Sequence, residues 1–163
     1  MHTYICCVGK KEPNIEQRIG YYGQRIVLKA RAMGIDSCWV AGTYNKRNAA
    51  CAVFRNEKLY CVIALGYGKT HGSPRKSKPM EKCFKLGEGV EEAPEWFTSG
   101  MKAAMLAPTA MNRQSFVITL EAGSVVKVNP TSRSSLAKID IGIVKCNFEI
   151  GAGDVRFAWS CSK

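Results

Sequence analysis

Gly34-Ile35-Asp36-Ser37-Cys38-Trp39-Val40-Ala41-Gly42-Thr43 follows a helical pattern and ends it abruptly. Upstream, Ile15, Ile19, Tyr22, Ile26, Ala30 and Met33 recur at steps of three and four, which places them on one stripe of a helix. Asn14 stands where a cap is needed, Gln17 three residues on can complete a capping box, and Gly34 is the stop. The small residues that follow predict a turn, with Trp39 beside it and Cys38 read as a buried, inert thiol.

Working outward, residues 3–9 (Thr-Tyr-Ile-Cys-Cys-Val-Gly) are apolar or β-branched on both faces and predict a buried strand. Residues 58–66 form a continuous apolar run too short for a helix, which predicts a central strand. Glycines, prolines and lysines over 72–94 predict a long loop, with a hinge at Gly87-Glu88-Gly89. A helix over 94–106 would bury Phe97, Met101, Ala104 and Met105, with Pro94 tolerated at its start and Pro108 ending it. Residues 115–121 and 124–128, separated by Ala122-Gly123, predict a hairpin. A last helix over 135–150 would turn Ile139, Ile143, Cys146 and Ile150 inward and stop at Gly151. The order strand, helix, strand, helix, hairpin, helix defines an α+β class, and no internal sequence repeat stands out.

The length of 163 residues suits one core, so residues 1–163 read as a single domain: a strand-helix-strand part over 1–71, a basic, glycine-rich loop over 72–93 and a second lobe over 94–163. No apolar run approaches the roughly 18 residues of a membrane span, and the start lacks signal-peptide character, so the expectation is a soluble, cytoplasmic protein. The eight cysteines lie mostly in apolar runs and read as reduced core residues, and with only His2 and His71 there is no zinc-ligand spacing. Lys plus Arg number 24 against 13 Asp plus Glu, a formal charge of +11, with much of the excess in residues 69–85. That stretch has no aromatic until Phe84 and no recognition-helix or zinc-finger pattern. It therefore reads as a phosphate clamp or a solvated loop rather than as a nucleic-acid surface.

Three segments in order, the 34–43 turn, the basic loop Gly72-Ser73-Pro74-Arg75-Lys76-Ser77-Lys78-Pro79, and Ala107-Pro108-Thr109-Ala110-Met111-Asn112-Arg113-Gln114, resemble the nitroreductase family over residues 4–150. The resemblance implies a central mixed or antiparallel sheet flanked by helices, and a subgroup in which one chain looks like two fused lobes. It implies FMN as cofactor, NAD(P)H as reductant and a nitroaromatic or quinone-like acceptor. Ala41 and Gly42 would offer backbone amides to the flavin, with Trp39 and Val40 lining the ring; small residues suit such close approach. Arg75 would grip phosphate bidentately, and Lys76 or Lys78 would act as a point charge. Pro108, Thr109, Ala110 and Asn112 would lie over the ring, where hydroxyl and amide groups can donate and accept. Asp140 in Asp140-Ile141-Gly142 would be structural, and no side chain is a nucleophile or general base, since the flavin carries the chemistry. Family members open with an arginine- and serine-containing segment that does not precede Tyr4. The expectation is thus a truncated copy, or a lobe completed by a homodimer partner or another chain, with a non-catalytic flavin-binding module as the alternative.

Overall fold

The computed structural model describes residues 3–70, 72 and 74–160. Three strands, β1 (Thr3–Lys10), β2 (Asp36–Val40) and β3 (Glu57–Gly66), make an antiparallel sheet in the order β1-β3-β2. As expected, β3 is central; its Leu59 to Ile63 side chains are buried. A second sheet takes β4 (Phe84–Leu86), β5 (Phe116–Glu121), β6 (Val125–Pro130) and β7 (Ala158–Trp159) in that order, antiparallel only between β5 and β6. Of the helices α1 (Ile15–Ala32), α2 (Glu95–Ala104) and α3 (Ser135–Ala152), α1 packs on the first sheet and α3 packs against α1, α2 and β6. The α+β class is borne out, with two sheets in place of one central sheet.

Several expectations need correction. The stretch after Gly34 is not all turn: Gly34 ends α1 at φ +77°, and residues 36–40 pair with Val62 to Gly66 as β2. Amide demand explains this, because the unpaired edge of β3 needs a partner and Trp39 and Val40 favour extended backbone. Asn14 caps α1 from the left-handed region, φ 62°, without a side-chain bond, so the capping box does not form. Residues 84–86 leave the long loop as β4, alongside β5. Gly87 is tied down, not hinged, through its amide to the Leu120 carbonyl at 2.7 Å. Helix α3 runs past Gly151 to Gly153, whose φ is +71°, and β7 carried no sequence signal.

The α1 stripe differs most. Tyr22, Ile26 and Met33 are exposed (59%, 44% and 63%), while Ile15, Gly20, Gly23, Gln24 and Ala30 are buried. The cause is α3. A Cβ at Gly20 would sit 2.0 Å from the Ile139 carbonyl oxygen, and one at Gly142 would sit 1.9 Å from the Gln17 carbonyl oxygen. The helices cross backbone to backbone, closer than the usual 8–10 Å interaxial distance allows with side chains between them. Buried Gln24 donates to Asn147 Oδ1 at 3.1 Å, and Asn147 donates to the Ala103 carbonyl of α2 at 3.2 Å, so one polar chain ties the three helices.

On the other side of α3, Gly100 makes room for the Phe148 ring, which packs edge-on against Phe97, Phe157 and Trp159. Trp96 stacks on Phe157 at 5.4 Å. Phe97, Met101, Ala104 and Met105 are buried as the sequence predicts. Burial of each large ring contributes roughly 1.5–3 kcal/mol, enough for this aromatic group to hold the short β7 in place.

Gly20→Ala and Gly142→Ala should each destabilise the fold by about 3 kcal/mol or more, because backbone must move to admit the methyl. Gly42→Ala, whose Cβ meets nothing within 4 Å, should change stability by no more than about 0.5 kcal/mol. Denaturant unfolding of the three variants checks the contrast.

Candidate functional site

The end of β2 with Ala41 and the segment after α2 converge on one cavity of about 430 Å³. Trp39, Val40 and Ala41 line one wall; Pro108, Thr109, Ala110 and Met111 line another; Val27 of α1 and Ile139, Asp140 and Ile143 of α3 close the rest. Two segments far apart in sequence are thus joined in space. The wall is mostly apolar, with a few polar groups, in the size range of about 300–1,000 Å³ common for small-molecule sites.

Each wall is positioned by identifiable bonds. Trp39 lies against Gly23, where a Cβ would be 2.4 Å from its ring, and its Nε1 donates to Gln24 Oε1 at 3.4 Å. Ala110 N donates to both carboxylate oxygens of Asp140 at 3.0 and 3.1 Å. Asp140 is 8% exposed, and burial raises its carboxyl to about 6, against the opposing pull of the Ala110 amide. The 109–114 segment is bent sharply: Met111, Asn112 and Gln114 have φ of 53°, 52° and 47°. Such left-handed conformations in residues other than glycine concentrate at functional loops, where surrounding bonds must over-determine them.

Those bonds come from the basic loop. Gln114, only 3% exposed, accepts from Lys78 N at 2.9 Å and donates to the Lys76 carbonyl at 3.0 Å. Lys78 Nζ donates to the Gln114 carbonyl at 3.1 Å, and Asn112 Nδ2 to the Lys76 carbonyl at 2.8 Å. Thr109 Oγ1 accepts from Gln114 N at 3.0 Å. The Arg75 guanidinium donates to the Ala107 carbonyl at 2.9 Å and also to that of Met105, capping the end of α2. Residues 75–78 and 105–114 therefore form one bonded strap, of which Pro108 to Met111 line the cavity.

Of the residues picked out from sequence, Trp39, Val40, Ala41, Pro108, Thr109 and Ala110 share the cavity wall. Gly42 lies beyond it with open space around it, and Arg75, Lys76, Lys78 and Asn112 belong to the strap behind the wall. Among the described residues lining the cavity there is no Lys or Arg. Cys38 corrects its reading as a buried thiol: it is exposed and lines the cavity, since β2 is an edge strand. Cys7, Cys61, Cys83 and Cys146 are buried and free, Cys6 half-buried and free. Sequence reasoning missed Gln24 and Gln114, whose roles depend on partners 36 to 123 residues away. It also missed Asp36, which anchors Gly68 N at 2.9 Å and pairs with Arg31 at 2.8 Å. Ser73 and His71 lie outside the described residues. No described helix is long and apolar enough to cross a membrane.

The sequence model of a family described as "Putative TM nitroreductase" matches residues 1–152. Among solved structures, the chain is similar to one described as a "putative nitroreductase" from Thermotoga maritima, with 25% identity and a TM-score of 0.66. The likeness covers 89% of this chain and 58% of that one. No curated protein matches.

Asp140→Asn should test the buried carboxyl. A carboxyl raised from its ordinary value stabilises the fold below about pH 4, and that contribution is lost as pH rises through about 6. Relative to the parent, Asp140→Asn should gain up to about 3 kcal/mol on going from pH 4 to pH 7.5. Urea unfolding at both values checks it; a pH-independent difference would mean Asp140 ionises as it does in the unfolded chain.

Proposed function

The chain belongs to this nitroreductase family, and we propose that it is an FMN-dependent oxidoreductase whose flavin ring occupies the cavity between residues 39–41 and 108–111. The observation that carries the proposal is the meeting of those two segments on one mostly apolar wall. A flat aromatic ring suits that wall, which the half-buried Trp39, Val40 and Ala41 line on one side and Pro108 on the other. When bound, FMN supplies hydride exchange between NAD(P)H and a nitroaromatic or quinone-like acceptor.

The chain's own residues hold, orient and seal. The backbone amide of Ala41, on the wall, would donate to the polar edge of the ring, and an amide pre-set by the fold acts without reorganisation when charge develops, while Gly42 follows beyond the wall. Thr109 orients the strap by accepting from Gln114 N, and Asp140 holds Ala110 in place against the wall. Phosphate would be held at the strap: Arg75 uses two of its five N–H donors on carbonyls and keeps others, while Lys76 and Lys78 are exposed beside it. No side chain serves as nucleophile or general base. A nitroaromatic or quinone-like acceptor, NAD(P)H as reductant, a cytoplasmic location and assembly with a second copy or another chain belong to this same proposal.

A second reading, a flavin-binding module without turnover, is favoured by one observation: Arg75 and Lys78 donate to carbonyls of the strap, and among the described residues lining the cavity there is no Lys or Arg. Two experiments separate the readings. The protein mixed with FMN and desalted should keep the two visible flavin bands, and NADH should bleach them; retained bands without bleaching would select the module, and a folded, colourless protein would overturn both. Ala110→Trp, which fills the cavity, should weaken FMN binding by at least about tenfold.

A further inference from the structure

Two of the buried free cysteines face each other across a strand pair. Cys7 of β1 and Cys61 of β3 are directly opposed in the antiparallel register, and the register shifts between Cys7 and Val8, so an irregularity borders the pair. Residues opposed in this way have Cα atoms about 4.5–5.5 Å apart, inside the roughly 4.4–6.8 Å that a disulfide spans. An interrupted ladder beside them eases the small shift that bond formation requires. Their sulfurs already meet, since the two thiols share a hydrogen bond.

That bond makes the two members unlike. Donation from Cys61 holds the Cys7 thiol below its ordinary value against the effect of burial, while the same bond and burial push Cys61 up. Cys7 is therefore the more readily ionised sulfur, and Cys61 the one that keeps the shared proton. Access is divided as well: Cys61 lines the wall of the 430 Å³ cavity, whereas Cys7 does not. Close to both lies Tyr44, whose hydroxyl is buried without a hydrogen-bond partner among the described residues; burial, with Cys61, Cys6, Cys7 and Cys51 around it, pushes its pKa up, so it stays an O–H donor beside any thiolate that forms. Among the described residues no three Cys, His, Asp or Glu are grouped as metal ligands, which leaves the pair the chemistry of two sulfurs.

We propose that Cys7 and Cys61 are a redox-active dithiol, closed to a cross-strand disulfide by exchange with a small, uncharged disulfide that enters the cavity. Starting from the Cys7 thiolate, Cys61 attacks the incoming disulfide and passes its proton to the Cys7 sulfur; the S–S bond of the reagent breaks and one small thiolate leaves. Cys7 then attacks the Cys61 sulfur, and the second small molecule leaves as a thiol with that proton. Two cysteines are oxidised and one external disulfide is reduced. In reverse, a thiolate in the cavity attacks Cys61 and expels Cys7, which leaves readily because a thiol of lower pKa is the better leaving group. The proposal concerns the chain without flavin and does not rest on the flavin reading.

Incubation with mixtures of bis(2-hydroxyethyl) disulfide and 2-mercaptoethanol tests it, read by alkylating the remaining thiols, digesting with trypsin without reduction and weighing the peptides. Residues 1–10 linked to 59–69 should appear as the disulfide share rises and vanish in excess thiol, and fragmentation should place the bond on Cys7 and not Cys6. Cys7→Ala and Cys61→Ala should each abolish the link, and Cys6→Ala should keep it. Ala110→Trp, which fills the cavity, and glutathione disulfide, larger and charged, should each slow closure by at least about tenfold, because exchange depends on access. Absence of the link, a bond from Cys61 to Cys6 or Cys38 in its place, or a rate unmoved by either obstruction would each overturn the proposal.

Discussion

Everything else in this molecule is arranged around the place where α1 and α3 meet without side chains between them. At Gly20 and Gly142 the separation is set by backbone atoms, and a single methyl on either helix would overlap a carbonyl oxygen of the other. That closeness turns α1 so that Tyr22, Ile26 and Met33 face outward, and brings Gln24 within reach of Asn147. It also places Val27 of α1 beside Ile139, Asp140 and Ile143 of α3 in the wall of the cavity. Dispersion and backbone complementarity at such a contact reward fit, and the interior transmits any misfit because it is close-packed.

The candidate site inherits its form from this crossing through a second device, the bonded strap. Gln114 is the buried centre of a set of bonds that fasten residues 76 and 78 to the segment over the cavity. An amide side chain suits the role because it donates and accepts at once, so it can satisfy backbone groups of both kinds. The unusual backbone at Met111, Asn112 and Gln114 is held by those bonds, and Asp140 adds a carboxylate whose burial costs something by itself. A wall held this firmly is what a rigid planar ligand requires, since little ordering remains to be done on binding.

Elements with strong local patterns were legible in advance. The run at 58–66, the Phe97-Met101-Ala104 face and the Ala122-Gly123 hairpin all appear where expected, because continuous apolar runs, helical spacing and a short turn each act over a few residues. The stripe on α1 was not legible: isoleucine and methionine advertise burial more loudly than glycine, and only the arrival of α3 makes glycine the contact residue. β2, β4 and β7 are short, and each exists because a neighbouring strand offers it hydrogen bonds. For the candidate site, the motif residues 39–41 and 108–110 were legible as types. Their meeting, and the turning of Arg75 onto the end of α2, depended on where α2 stops.

By itself the sequence determined the α+β class, the main helices and central strand, and which segments carry small, polar or basic residues, since these follow from periodicity, breakers and charge along the chain. Only the tertiary structure decided which face of α1 is inside, which cations are engaged, and that residues 39–41 and 108–111 share one cavity. Those properties arise from contacts between residues distant in sequence. Their geometry is set by how closely two backbones approach, a distance no local pattern encodes.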